Sequence, residues 1–275
     1  MERVFMTKSV YSNALKLIVL GSFLMSTTSQ AAGPNFFNLS EKDFENISKE
    51  FSGDLMHHSV QGAATLGSIL GFEVGLIAGQ TSSPDLSKIS KDSGGEDVPN
   101  LYHAGLLGVL TVPFGITGEL IMLPKTSAND TSLQMTSAAL KFTMSEELLV
   151  IPFNLALRGF MSSSKVSFTQ TDATGTATVE NDNKVTGLQL LVSPKLPVFE
   201  PYAGVGMVNA KNTLSTTGTL LFDPTYTASQ SQDSTLSSTQ ILLGVTANLL
   251  FFRLGAEYSS AFGNNSTTVK LAVGF

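Results

Sequence analysis

Seven charged residues interrupt segments that are otherwise apolar: Glu73, Glu119 and Glu257, with Lys141, Arg158, Arg253 and Lys270. Three carboxylates and four cations can fill an interior with ion pairs, line a polar conduit, or supply an acid–base pair. The last needs two carboxyls at a defined separation, and the sequence sets none. Histidine chemistry is thin. His57 and His58 are adjacent, so on a strand they point to opposite faces and cannot chelate one ion together. His103 falls near the outer end of a predicted strand, where a surface hydrolase would carry a base and an ordinary rim histidine would also sit. No serine lies in a G-x-S-x-G elbow. Gly204-Val205-Gly206 has part of a nucleotide fingerprint but lacks the third glycine and the following helix. Those glycines read better as inward space opposite a bulky neighbour such as Tyr202. The absence of cysteine excludes disulfides and thiolate metal sites, and the Asp/Ser/Thr-rich loops lack EF-hand spacing. No cofactor and no metal site are expected.

The elements that must hold these charges are strands. Alternating apolar and polar residues predict strands over 70–79, 114–123, 137–144, 150–166, 186–193, 201–211, 239–250, 252–262 and 267–275, and an apolar run without a readable phase predicts another over 101–112. In the last, Val269, Leu271, Val273 and Phe275 share one face, while Thr268, Lys270, Ala272 and Gly274 share the other. An Arg or Lys facing lipid near the bilayer midplane costs about 2–4 kcal/mol. All seven charges fall on the phase opposite the aliphatic residues, so they are expected to line a lumen. The predicted fold is all-β: a closed antiparallel transmembrane β-barrel of about ten strands with a short N-terminal helix. The count becomes twelve if residues 55–66 and part of 212–238 also pair. Short turns alternate with longer polar connections at 81–99, 125–136, 167–185 and 212–238, the asymmetry of an outer-membrane barrel. Phe275 is expected to close the barrel against the first strand from the interfacial aromatic girdle. The expected partners are outer-membrane lipid and, through the C-terminal strand, the barrel-assembly machinery.

Domain organisation follows. Residues 1–31 read as a signal peptide: Arg3, Lys8 and Lys16 precede the apolar run Leu17–Met25, and Ser29-Gln30-Ala31 fits a small-x-small cleavage site. Residues 32–67 read as a periplasmic N-terminal helix and lead-in, and residues 68–275 as the barrel. The helix is expected over 40–53, with Ser40 as N-cap and Phe44, Ile47 and Phe51 as its apolar stripe. Residues 54–67 read equally as strand or linker. The leader holds three of the 16 cations and one of the 22 anions, so the mature chain carries a net charge of −8. Nucleic acid is therefore not an expected partner. Only 14% of residues are charged, low for a soluble enzyme of this length.

The order of elements resembles a family of uncharacterised Gram-negative outer-membrane proteins. The residues that carry the likeness are Phe44-x-x-Ile47-Ser48-Lys49, Leu66-Gly67, Gly71-Phe72-Glu73-Val74-Gly75, Val112-Pro113-Phe114-Gly115-Ile116 and Pro201-Tyr202-Ala203-Gly204-Val205-Gly206. The resemblance implies a barrel in the outer membrane and carries over no catalytic residue. The expected location is the outer membrane of a Gram-negative bacterium, with both termini periplasmic. The expected function is a non-enzymatic, porin-like or transport barrel for small or apolar molecules, whose permeant the sequence does not identify. The alternatives are a plugged barrel that binds through loops 81–99 and 212–238, and a hydrolase using His103 or a lumen carboxylate.

Overall fold

The computed structural model describes residues 41–275 except 68, 93–96, 129–130, 145–151, 173–174 and 219–229. The predicted leader, its cleavage site and the N-cap Ser40 lie outside the described residues. Helix α1 (Glu41–Asp54) comes first. The strands are β1 (Gly71–Ser82), β2 (Asn100–Val112), β3 (Ile116–Ala128), β4 (Thr131–Thr143), β5 (Phe153–Asp172), β6 (Gly175–Pro194), β7 (Phe199–Gly218), β8 (Gln230–Leu249), β9 (Phe252–Ala261) and β10 (Asn264–Gly274). The segment expected as a polar connection over 81–99 contains a second helix, α2 (Pro84–Asp92). Proline at its first turn and Lys91 in its last favour that helix at both ends.

Each strand pairs antiparallel with its neighbour in sequence, and β10 pairs with β1 from Glu73↔Gly274 to Thr81↔Ser266, so the sheet closes. The seam is fastened at its end by reciprocal backbone bonds. Phe72 N–H donates to Phe275 O and Phe275 N–H donates to Phe72 O, each at 3.0 Å. The Phe275 ring lies 5.2 Å from that of Phe72 and 5.3 Å from that of Phe251. A twelve-stranded wall would need residues 55–66, but these carry no strand and lie inside the barrel. Among the described residues, one register shift falls between Leu123 and Thr126, where Pro124 has no N–H to give the ladder.

Burial alternates in the sense opposite to that of a water-soluble sheet. Along β10, Val269, Leu271 and Val273 are about half exposed, whereas Lys270 is 4% exposed. Outward aliphatic residues with inward polar ones are the surface of a barrel that spans a membrane. The band has a visible upper limit on the longest strands. Above Met161, Leu188, Met207 and Ile241 the outward residues become Ser163 and Lys165, Thr186 and Lys184, Asn209 and Lys211, and Thr239 and Ser237. At the other end Phe72, Phe114, Phe153, Phe199, Phe251, Phe252 and Phe275 face outward, as an interfacial aromatic girdle does.

The two ends differ. The end bearing Phe275 has the tight connections at 113–115, 195–198 and 250–251. The opposite end carries α2 and the hairpins β5–β6 and β7–β8, whose strands are 20 residues long. At ~3.3 Å per residue and ~40° of tilt, such strands rise about 50 Å, twice the ~25 Å apolar band. Helix α1 lies at this second end: Gly53 O is 3.5 Å from Ser266 Oγ, beside the Thr81↔Ser266 pair. Its stripe Phe44, Ile47 and Phe51 is buried, and Ile47 and Phe51 pack with Leu86, Ile121 and Phe168 in the upper lumen. The expectation that set this helix on the same side as Phe275 is corrected. A segment preceding β1 need not stay where β1 begins, because it can run through the lumen.

The inverted alternation makes a measurable distinction between neighbouring positions. Leu271→Arg sets a cation against lipid one residue from the tolerated Lys270, and is expected to destabilise the barrel by about 2–4 kcal/mol. Urea unfolding in phospholipid vesicles reads this directly, and an unchanged midpoint would contradict the assignment of faces.

Candidate functional site

Residues 55–67 leave α1 and descend the lumen to the Phe275 end, and the wall grips them in order. At the top, Asp54 Oδ1 is 2.8 Å from His103 Nδ1, and His103 Nε2 is 2.9 Å from Thr268 Oγ1. Lower, Ser162 Oγ–H donates to Leu55 O at 2.6 Å. His57 lies 2.9 Å from Glu119 Oε2 through Nε2 and 2.7 Å from Ser137 Oγ through Nδ1. Arg158 Nη1 donates to Ser59 Oγ at 2.9 Å, and Gln61 Nε2 donates to Glu73 Oε1 at 2.9 Å. Lys141 Nζ donates to the carbonyls of Gly62 and Ala64 at 2.7 and 2.8 Å, and Thr143 Oγ1 to that of Ala63 at 2.8 Å. Ala64 N–H donates to Glu200 Oε1 at 2.8 Å. At the exit, Leu66 N–H reaches Thr111 Oγ1 at 3.2 Å, and Arg253 Nη2 reaches Leu66 O at 3.3 Å.

The chemistry follows from the backbone. Residues 55–67 form neither helix nor strand, so their buried N–H and C=O groups have no ladder and must find partners elsewhere. The wall supplies them. Lys141 serves two main-chain carbonyls, and Arg253 serves another. Gly62 passes so close to Glu200 that a Cβ there would lie 2.2 Å from the carboxylate, so glycine lets the segment meet the wall. Lys141 and Arg253 thus solvate a non-repetitive chain with inward charge.

All seven charges singled out in the sequence line the lumen, and each has its own role. Glu119 meets His57 and Arg158, the latter at 3.5 Å. Glu73 pairs with Lys270 at 2.9 Å and lies 3.8 Å from Arg253. Glu257 accepts the Tyr202 hydroxyl at 2.8 Å. Each carboxylate is engaged by different groups, so no pair of them shares a reacting atom. His103, expected at the rim, is 3% exposed. Its ring stacks on His58 at 4.5 Å, and the Asp54–His103–Thr268 chain anchors the end of α1 to β2 and β10. Tyr202 lies over Gly244, not over the glycine pair at 204 and 206.

Several residues of this site were outside the sequence reading: Asp54, Ser59, Gln61, Thr111 and Glu200. A pair of histidines among small polar residues between a helix and the first strand was the available signal. At the top, Glu50 of α1 holds α2. Its carboxylate accepts the N–H groups of Asp85 and Leu86 at 2.7 and 2.9 Å, capping the N-terminus of α2.

Lys141→Met removes the donor to two buried carbonyls while keeping most of the side-chain volume. At about 1–3 kcal/mol for each buried group left unpaired, the expected loss is several kcal/mol in detergent-micelle unfolding. Lys125→Met, on an exposed lysine of the same wall, is expected to leave the midpoint unchanged.

The chain is an outer-membrane β-barrel in its construction: closed, even-stranded, apolar outside and polar within. It is similar in structure to the outer-membrane protease OmpT of Escherichia coli (12% identity, 78% of this chain and 100% of that chain covered, TM-score 0.44). It is similar also to the translocator domain of the autotransporter NalP of Neisseria meningitidis (13%, 85% and 95%, 0.43). A third likeness is to the toluene transporter TodX of Pseudomonas putida (11%, 86% and 78%, 0.38). Likeness at this level carries no activity from those proteins to this chain. No curated protein of known function matches it. A family model does: the one described as a family of unknown function, DUF6588, matches residues 22–275, and the chain belongs to that family.

Proposed function

We propose that this is a non-enzymatic outer-membrane barrel held closed by its own N-terminal segment, which acts at the surface through its long hairpins and not as an open diffusion pore. One observation carries the reading: residues 55–63 are all buried within the lumen and bonded to the wall along their length. Of the functions expected from the sequence, the plugged barrel with binding outer loops fits this arrangement best. A porin-like conduit needs an empty axis, and here the axis is occupied.

A gated conduit is the second reading, favoured by the kind of contact that holds the segment. Hydrogen bonds and ion pairs can be exchanged for water, so a displaced segment would leave a polar channel behind it. The orientation belongs to the same proposal: Phe275 and the tight turns in the periplasm, with α1, α2 and the long hairpins outside, as barrels with short inner turns are arranged.

Planar bilayers test closure. The wild-type protein is expected to show no sustained conductance, and a chain lacking residues 33–67 that still shows heat-modifiable folding is expected to conduct. A steady wild-type conductance would overturn the closed reading. Because the chain has no cysteine, orientation can be tested with single cysteines and a membrane-impermeant maleimide on intact cells. Lys42→Cys is expected to label, while Lys195→Cys in the β6–β7 turn is expected to label only after the outer membrane is opened. The reverse pattern would invert the barrel.

A further inference from the structure

Strand β8 rises higher than its neighbour on one side. It pairs with β7 along its whole length, from Thr216↔Gln230 to Phe199↔Ala247, without a register shift. Its pairing with β9 begins only at Ile241↔Ser260, because the β9–β10 hairpin turns early, at Phe262-Gly263. Among the described residues, 230–240 therefore have a partner strand on one edge only. The direction of that open edge follows from a bond at the strand's foot. Asn248 N–H donates to Val198 O on the β7 side, and along a strand the main-chain groups alternate between edges. Even-numbered residues thus face β7, and the N–H and C=O of Asp233, Thr235 and Ser237 face the open side. At the base the turn closes the row: Phe262 N–H donates to Ser238 Oγ, which donates to Thr239 O.

This open edge forms one wall of a cleft of about 620 Å³. The floor is Phe262-Gly263-Asn264, and the opposite wall is formed by Glu45, Asn46 and Lys49 of α1 with Asp85 of α2. Natural sheets guard exposed edges with lysine, proline or a bulge. Residues 233–240 (Asp-Ser-Thr-Leu-Ser-Ser-Thr-Gln) have no lysine, proline or bulge, and their one charge is Asp233 at the far end. On the facing wall Glu45 and Lys49 pair with each other at 2.7 Å, which leaves the carboxylate of Asp85 as the excess charge, so the wall favours a cation on whatever enters.

We propose that the cleft between β8 and α1 is a docking site for an extended, basic segment of a partner polypeptide, added as a further strand on the Thr235–Ser237 edge. Strand addition takes its affinity from main-chain bonds and its selectivity from alternate side chains. Those on the α1 side would meet Glu45 and Asp85. The proposal rests on reading the outer end as the interacting part of the molecule. It commits to a strand from another protein because a row of open main-chain groups suits an extended chain, and the excess negative charge of the facing wall suits a basic one.

The test uses the full-length detergent-solubilised protein and a fluorescein-labelled octapeptide of alternating threonine and lysine. Saturable binding is expected by anisotropy, with exchange protection gained at the Thr235 and Ser237 amides. Thr235→Pro and Ser237→Pro each delete one open-edge N–H without touching the β7 ladder, a position where proline is tolerated. Each is expected to weaken binding at least tenfold, and a threonine–glutamate peptide is expected not to bind. Unchanged affinity in folded proline variants would overturn the proposal, as would binding to wild-type protein without protection at these two amides. Protection that grows with protein concentration and needs no peptide would mean that a second copy occupies the edge, and would also overturn it. None of these readouts depends on conductance or on orientation in cells, so a failure here is distinct from a failure of the closed-barrel reading.

Discussion

An irregular stretch of backbone cannot remain in a water-poor lumen unless every N–H and C=O finds a partner, and the interior of this barrel is organised around that demand. Wall strands satisfy their own main-chain groups by pairing. Residues 55–67 do not, so the inner faces of β1 to β10 carry the donors and acceptors that strand pairing would otherwise supply. Lys141, Thr143, Arg158, Glu200 and Arg253 are thereby fixed in type as well as position. A lysine with three donors can serve two successive carbonyls, which no aliphatic residue of the same size can do.

The outer surface obeys a simpler rule. Aliphatic residues meet lipid over a limited height, phenylalanines gather at one boundary, and above the other boundary the same strands continue with lysine, serine, threonine and asparagine. The upper hairpins are then held by polar cross-strand contacts, including Lys165 with Glu180 and Thr213 with Asp233. Their length beyond the membrane is a consequence of sequence composition, because nothing in the apolar band requires 20-residue strands.

The wall was legible because a two-residue period is a strong signal and the cost of a misplaced charge is large. Lys270 between Val269 and Leu271 can face only one way. The upper halves of β5 to β8 were less legible: where both faces are polar, alternation loses contrast, and 167–185 and 212–238 read as loops although most of their described residues are strand. The path of residues 54–67 had no periodic signature at all, since a segment braced by side chains on eight different strands repeats nothing along its own length. The side on which α1 sits depended on that path. Glu50 and Glu200 owe their roles to contacts 35 and 136 positions away, a separation that local pattern does not span.

The lead-in passes along the axis of a closed ring, and this has a consequence for the order of assembly. A ring cannot admit a chain sideways once its seam is shut. Either β1 and β10 zip together last, around an axis already occupied, or α1 must travel the bore as an unfolded thread and coil on the far side. Once coiled, α1 is about 10–12 Å across with its side chains and is seated in the upper lumen above a bore already occupied by residues 55–67, so it acts as a stop on the thread. The segment then cannot be drawn back towards the Phe275 end unless the helix unravels or the seam parts. Retention of the N-terminal segment is therefore mechanical as well as energetic, and its release would follow the unfolding rate of fourteen residues more closely than the strength of any single bond in the lumen.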